Sequence, residues 1–152
     1  MLAMSVEAMR AKAHHSYRAR LEVIIRIPTA VSDHDIHEMI KVGFPTYSLE
    51  SLLEYCRASL LDCSSFISPV IPDVNISRGE RLSENDSAHL FRVAHVVALA
   101  EVIFGNDSKA RRWLAEPKEV FSGATPIAML STIQGAQKVE EMLIQAVEGF
   151  TF

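Results

Sequence analysis

The chain has few of the residues that define several common classes of protein. Its 152 residues include only two cysteines. Cys56 and Cys63 are too few for a disulfide scaffold and lack C-x-x-C spacing, so we predict reduced thiols in a cytoplasmic protein. No apolar run approaches the roughly 20 residues that cross a bilayer, and no apolar segment of a secretory signal follows the first charges. We therefore expect no membrane partner.

An excess of positive charge is also absent. Lysine and arginine number 15 against 19 acidic residues, which gives a net charge of −4. Proteins that bind nucleic acids are usually basic overall, so any contact with DNA here has to be local.

The sequence contains none of the common catalytic or cofactor-binding motifs. There is no G-x-S-x-G, P-loop, H-E-x-x-H or dinucleotide fingerprint, so we expect neither an enzyme nor a cofactor. His34 and His37 lie among acidic residues in "SDHDIHE". A zinc site needs ligands from more than one element, and acids in the first turn of a helix have an electrostatic reason of their own, so we predict no metal site.

Amphipathic helices with clear start signals fill most of the chain, and they predict an all-α fold. Apolar residues recur with helical spacing after polar residues that can cap a helix. The predicted caps are Ser32, Ser48, Ser83, Asn106 or Asp107, Thr125 and Thr132. Residues 1–26 form a basic, helix-tolerant segment that is either an ordered helix or a loose arm. We interpret "LEVIIRIP" after it as an irregular segment or a helix end.

The strongest predicted helix follows Ser83 and carries two adjacent apolar seams. Its few polar positions include His89 and His95, which we place at the rim of the core. A helix that is apolar around most of its circumference is buried on more than one side. It is therefore either a central core helix or a contact between subunits, and the second alternative predicts a homodimer. We place a domain boundary near Gly79–Ser83, between an N-terminal lobe, 1–81, and a C-terminal domain, 82–152.

An ordered set of short motifs in the last 70 residues resembles the C-terminal toxin-binding domain of the Xre/MbcA/ParS antitoxins. The motifs are Leu82-Ser83, Phe104-Gly105, Ala110, Trp113-Leu114, Pro117, Gly123, Thr125-Pro126, Leu130, Thr132, Gly135, Val139 and Leu143. The resemblance implies an antitoxin that neutralises a RES-type toxin, which uses or consumes NAD⁺, by covering the toxin's NAD pocket. The sequence departs from the family pattern at Ser122, where another glycine is usual, and at Ala124, where a basic residue is common. We expect a stiffer turn there.

Antitoxins of this type often carry an Xre-like helix-turn-helix upstream of the toxin-binding domain. "VGFP", residues 42–45, and "IPDVNISR", residues 71–78, resemble its turn and its recognition helix. The predicted DNA-binding residues are Asn75, Ser77, Arg78 and Arg81. Base reading and phosphate contact both favour more positive charge than this segment carries. The resemblance nevertheless implies operator DNA as a second partner. A stand-alone DNA-binding regulator is the alternative function.

The candidate toxin-binding residues lie at two places in the C-terminal domain. Arg111 and Arg112 flank Trp113, which we expect to anchor its short helix in the core. The other candidates lie on the outward side of the last helix and in the aromatic tail that follows Gly149: Lys138, Glu141, Gln145, Glu148, Phe150 and Phe152. Terminal aromatic side chains gain most when they fold back or insert into a partner. We predict that this tail occupies the toxin's pocket.

Overall fold

The computed structural model describes residues 6–59, 61 and 81–149, and side chains from 12 to 146 within those ranges. In these ranges it has seven α-helices and no strand, which confirms the predicted all-α fold. The helices are α1 Val6–Ile25, α2 Asp33–Val42, α3 Thr46–Ala58, α4 Glu84–Phe104, α5 Asp107–Ala115, α6 Pro126–Met129 and α7 Ile133–Gly149, with a 3₁₀ turn at Glu119–Phe121 between α5 and α6.

Local side-chain caps start most of these helices at the predicted residues. Ser32 accepts from the Asp35 amide and Ser83 from the Asp86 amide. The same arrangement begins α5, α6 and α7, where the capping side chains are Asn106, Thr125 and Thr132. Such a cap satisfies one of the amides that a helix start leaves without a partner.

Ser48 does not cap α3 as predicted. The helix begins at Thr46, with Pro45 as its N-cap and no capping side chain, and Ser48 is buried inside the first turn. Pro45 explains the difference, because its fixed φ suits a helix start and its missing N–H needs no partner. The serine is therefore a packing residue.

The basic N-terminal segment is an ordered helix, and "LEVIIRIP" is its end. Arg18 on α1 is buried and contacts Asp33 at 3.3 Å and the carbonyl of Pro28 at 3.1 Å. Arg20 contacts Asp107 at 3.1 Å. Two cations of this basic segment are therefore paired with acidic side chains within the chain.

Helix α4 is the centre of the fold. The helices α1, α2, α3, α5 and α7 all pack against it. Residues of both predicted seams, including Val93, Ala94, Val97 and Ala98, are buried inside this one chain. Of the two alternatives, the structure shows the central core helix, and the homodimer stays a prediction. His89 also lies in the core rather than at its rim, at 1% exposure.

The same helix is, among the described residues, the one segment long and apolar enough to cross a membrane. It has 21 residues, and 56% of its most apolar stretch is buried within the protein. The central helix of a folded core passes the same test of length and composition. Its packing against five other helices accounts for its apolar composition without a membrane.

One core joins the two predicted lobes. It runs from Leu21 and Ile24 on α1 through Leu90 on α4 to Val139 and Leu143 on α7. The boundary near residue 81 stays a prediction, because residues 60 and 62–80 lie outside the described ranges. Arg81 itself forms an isolated antiparallel bridge with Pro45.

The prediction of reduced thiols is wrong for Cys56, which is disulfide-bonded. The residue is buried near the end of α3. Cys63 lies outside the described residues. Composition alone missed the bond because a spacing of seven residues matches no common redox or metal motif.

Candidate functional site

Trp113 supports the loop that leads from α5 to α6. Its ring is half-buried, 5.9 Å from the ring of Phe104, and the Nζ atom of Lys118 lies 5.2 Å from its centre. Trp113 is therefore only in part the predicted core anchor. The indole packs against the core, and the ammonium group of Lys118 lies over its ring. A cation over an indole face is attracted by the negative charge density of the ring.

The loop after Lys118 closes on itself through backbone hydrogen bonds. The Lys118 amide donates to the Ala124 carbonyl at 3.1 Å, and the Gly123 amide donates back to the Lys118 carbonyl at 2.9 Å. Within this closure the 3₁₀ turn points Phe121 into the protein and leaves Val120 66% exposed. The loop therefore holds an apolar side chain in solvent at a fixed place.

Ser122 completes the turn in a left-handed conformation, with φ of 55° and ψ of 36°. This is the position where the family pattern usually has glycine. A residue with a Cβ atom is sterically disfavoured there, whereas glycine adopts the conformation freely. The departure noted in the sequence is thus a site of backbone strain next to Val120.

A groove runs between this loop and α7, and it brings together three of the predicted toxin-binding residues. Lys138, Glu141 and Gln145 line one side, and all three are exposed. Val120 and Phe121 belong to the other side, with Met142 between them.

The groove beside α7 measures about 270 Å³. Pockets that hold small molecules usually enclose roughly 300–1,000 Å³. The smaller volume and the mixed apolar and charged lining suit one or two side chains of a protein partner.

The remaining predicted toxin-binding residues lie elsewhere. Arg111 is half-buried and donates to the Ser108 hydroxyl at 3.2 Å, while Arg112 is exposed. Both belong to α5, and neither lines the groove. Glu148 lies in the last turn of α7, but its side chain, with Phe150 and Phe152, lies outside the described residues. The structure thus brings together three of the eight candidates.

Sequence reasoning missed three of the groove residues, Val120, Phe121 and Met142. The segment "KEVFSGA" looked like a connector between two helices. A valine and a phenylalanine side by side in a short polar loop are the available signal, because two adjacent apolar residues in a tight turn cannot both face the core. One of them had to be exposed.

Of the four predicted DNA-binding residues, only Arg81 lies in the described part of the chain. Its side chain is exposed and donates to the Gly43 carbonyl at 3.0 Å. Asn75, Ser77 and Arg78 lie outside the described residues. The predicted turn, residues 42–45, does join two helices, α2 and α3.

His34 and His37 lie exposed on α2. Among the described residues, no group of three or more histidine, cysteine or acidic side chains is placed to hold a metal ion.

Comparison with known proteins agrees with the resemblance in the motifs. Residues 99–149 match the model of the antitoxin Xre/MbcA/ParS C-terminal toxin-binding domain. This match contains α5, the 3₁₀ turn, α6 and α7, and so the whole groove. Antitoxin Xre of Pseudomonas putida is 43% identical over 148 residues, which are 97% of this chain and 93% of that protein. The chain therefore belongs to the Xre/MbcA/ParS family of antitoxins.

Proposed function

We propose that this antitoxin neutralises a RES-type toxin that uses NAD⁺, and that the groove between the 3₁₀ turn and α7 is the contact surface. The observation that carries the proposal is the exposed Val120 held beside Lys138 and Glu141. Interfaces between proteins commonly have an apolar centre with a polar rim. The groove has this arrangement on a small scale.

The aromatic tail supplies inhibition in this proposal. Helix α7 is described as far as Gly149, and Phe150 and Phe152 follow it. A pocket that binds NAD⁺ accommodates planar rings and carries cations for phosphate, so a phenylalanine and the carboxylate of Glu148 match its chemistry. The groove would hold the toxin while the tail occupies its pocket.

A charge reversal in the groove tests the contact surface. We expect Lys138→Glu to weaken co-purification with a RES-type toxin, because the change reverses the charge of the lysine that lines the groove. Lys41→Glu on α2 is the matched control, with the same change of charge on an exposed side chain far along the chain. Equal binding by wild type and both variants would place the contact elsewhere.

Control of its own operon is the second part of the proposal. It rests on the short turn at residues 43–45 between α2 and α3 and on the predicted recognition helix at residues 71–78, which lies outside the described residues. Binding of operator DNA should weaken steeply with salt, and Arg78→Ala should weaken it further. Binding of operator DNA in cells that lack any toxin partner would favour the stand-alone regulator instead.

A further inference from the structure

His95 connects three helices through its two ring nitrogens. Its Nδ1 atom forms a short hydrogen bond with the hydroxyl of Tyr17 on α1. Its Nε2 atom lies 3.0 Å from Oε1 of Glu140 on α7. The histidine itself belongs to α4, which lies between the other two helices. We call these three side chains the His95 bracket.

The bracket is satisfied by a single neutral tautomer. With the proton on Nε2, the imidazole donates to the Glu140 carboxylate and accepts from the Tyr17 hydroxyl. Burial raises the pKa of Tyr17, so its hydroxyl keeps the proton that it donates. Phe91 stacks on the imidazole at 5.9 Å, and the Tyr17 ring meets it edge-on at 5.3 Å. The ring is thus held in one orientation.

Helix α7 needs a directional contact of this kind. Its buried side is made of Ala136, Val139 and Leu143. Apolar contacts of this type are not directional, and they tolerate rotation of the helix about its axis better than a hydrogen bond does. Glu140 and the groove residue Glu141 are neighbours, about 100° apart around the helix. Any rotation that breaks the bracket also turns the groove residues.

We propose that His95 is a positioning residue for toxin binding, which fixes the rotation of α7 by joining Glu140 to Tyr17. This inference rests on the proposed function, because it concerns how the groove residues are presented to the toxin. It assigns a role in recognition to Tyr17 on α1, which lies more than 100 residues before the groove residue Val120 in the sequence. It also explains why a toxin-binding helix makes a polar contact on the side away from its groove.

Amide chemical shifts of the full-length free protein test the positioning step. Tyr17→Phe should shift the amide resonances of Lys138, Glu141 and Gln145, whereas the control His15→Ala, an exposed position on α1, should leave them unchanged. Tyr17→Phe removes the hydrogen bond to His95 and leaves the rest of the ring in place, so the hydroxyl tests the link to α7 through His95. A folded Tyr17→Phe protein with unchanged α7 resonances would overturn the proposal.

Toxin affinity tests the consequence. We expect Tyr17→Phe and Glu140→Ala to weaken binding of the RES-type toxin about threefold to tenfold with a nearly unchanged melting temperature. Glu140→Gln keeps an acceptor for Nε2–H and should bind almost as wild type does. Wild-type affinity in Tyr17→Phe would overturn the role in recognition. Absence of binding by the wild type would overturn the proposed function, and the amide shifts would still decide the positioning step.

Discussion

Ser122 is the clearest case of a single residue held in an unfavourable conformation. Its φ of 55° lies in the left-handed region, which costs a residue other than glycine about 1 kcal/mol or more. We expect Ser122→Gly to raise the free energy of unfolding by about 0.5–1 kcal/mol, measured by urea denaturation. Gly123, with φ of 88°, is the control, since Gly123→Ala should lower it by a similar amount. A loss of stability in Ser122→Gly would contradict this account.

Glu101 makes the free energy of unfolding depend on pH. Burial raises the pKa of its carboxyl above the ordinary value of 4.5, although the hydrogen bond from Tyr55 and the charge of Arg20 act in the opposite direction. The carboxyl of Glu101 binds its proton more tightly in the folded state than in the unfolded state. This proton binding stabilises the fold below pH 4.5, and the contribution is lost as pH rises through the folded-state pKa.

The variant Glu101→Gln isolates this contribution because glutamine stays neutral and still offers an acceptor to Tyr55. We expect the stability of the variant relative to wild type to be higher at pH 8 than at pH 5, measured by urea denaturation at both values. The same difference at both values would mean that burial of the carboxyl has no net effect on its titration.

At the scale of helices, Gly43 sets the approach of α2 to the start of α4. A Cβ atom on Gly43 would lie 2.0 Å from the Leu82 carbonyl oxygen, whereas one on Gly105 would meet nothing within 4 Å. Both glycines have a positive φ. We expect Gly105→Ala to cost about 1 kcal/mol and Gly43→Ala several kcal/mol, because only the second adds a collision with backbone. Similar melting temperatures for the two variants would contradict this.

Helix starts could be predicted from the sequence because a cap is a local contact. Ser83, Asn106, Thr125 and Thr132 each accept from an amide three residues later, so both partners are visible in one short window. The His95 bracket joins side chains of three helices that are far apart in the sequence. No local pattern reports it.

At the scale of the whole molecule, the tail and the groove should be separable. We expect truncation after Gly149 to leave folding intact and toxin binding largely retained, while inhibition of NAD⁺ consumption is lost. The reason is that the groove lies before the cut and the aromatic residues lie after it. Binding and NAD⁺ consumption are measured on the same preparations, with the full chain as control. Undiminished inhibition would mean that the tail is not the plug.

The candidate site was only partly predictable for a similar reason. Lys138, Glu141 and Gln145 follow from the outward side of one helix, which sequence periodicity gives. Val120 joins them only because the loop after Trp113 folds against α7. The loop side of the groove is therefore determined by tertiary packing, which the sequence pattern does not show.

The central position of α4 has a thermodynamic consequence. Because α1 and α7 pack on the same helix, the two ends of the chain unfold together if the core is one cooperative unit. A partner that binds only the folded state raises the stability of everything that unfolds with its site. Toxin bound at α7 should therefore slow hydrogen exchange of the amides in α1. The exchange rate of these amides would then show whether toxin is bound to α7.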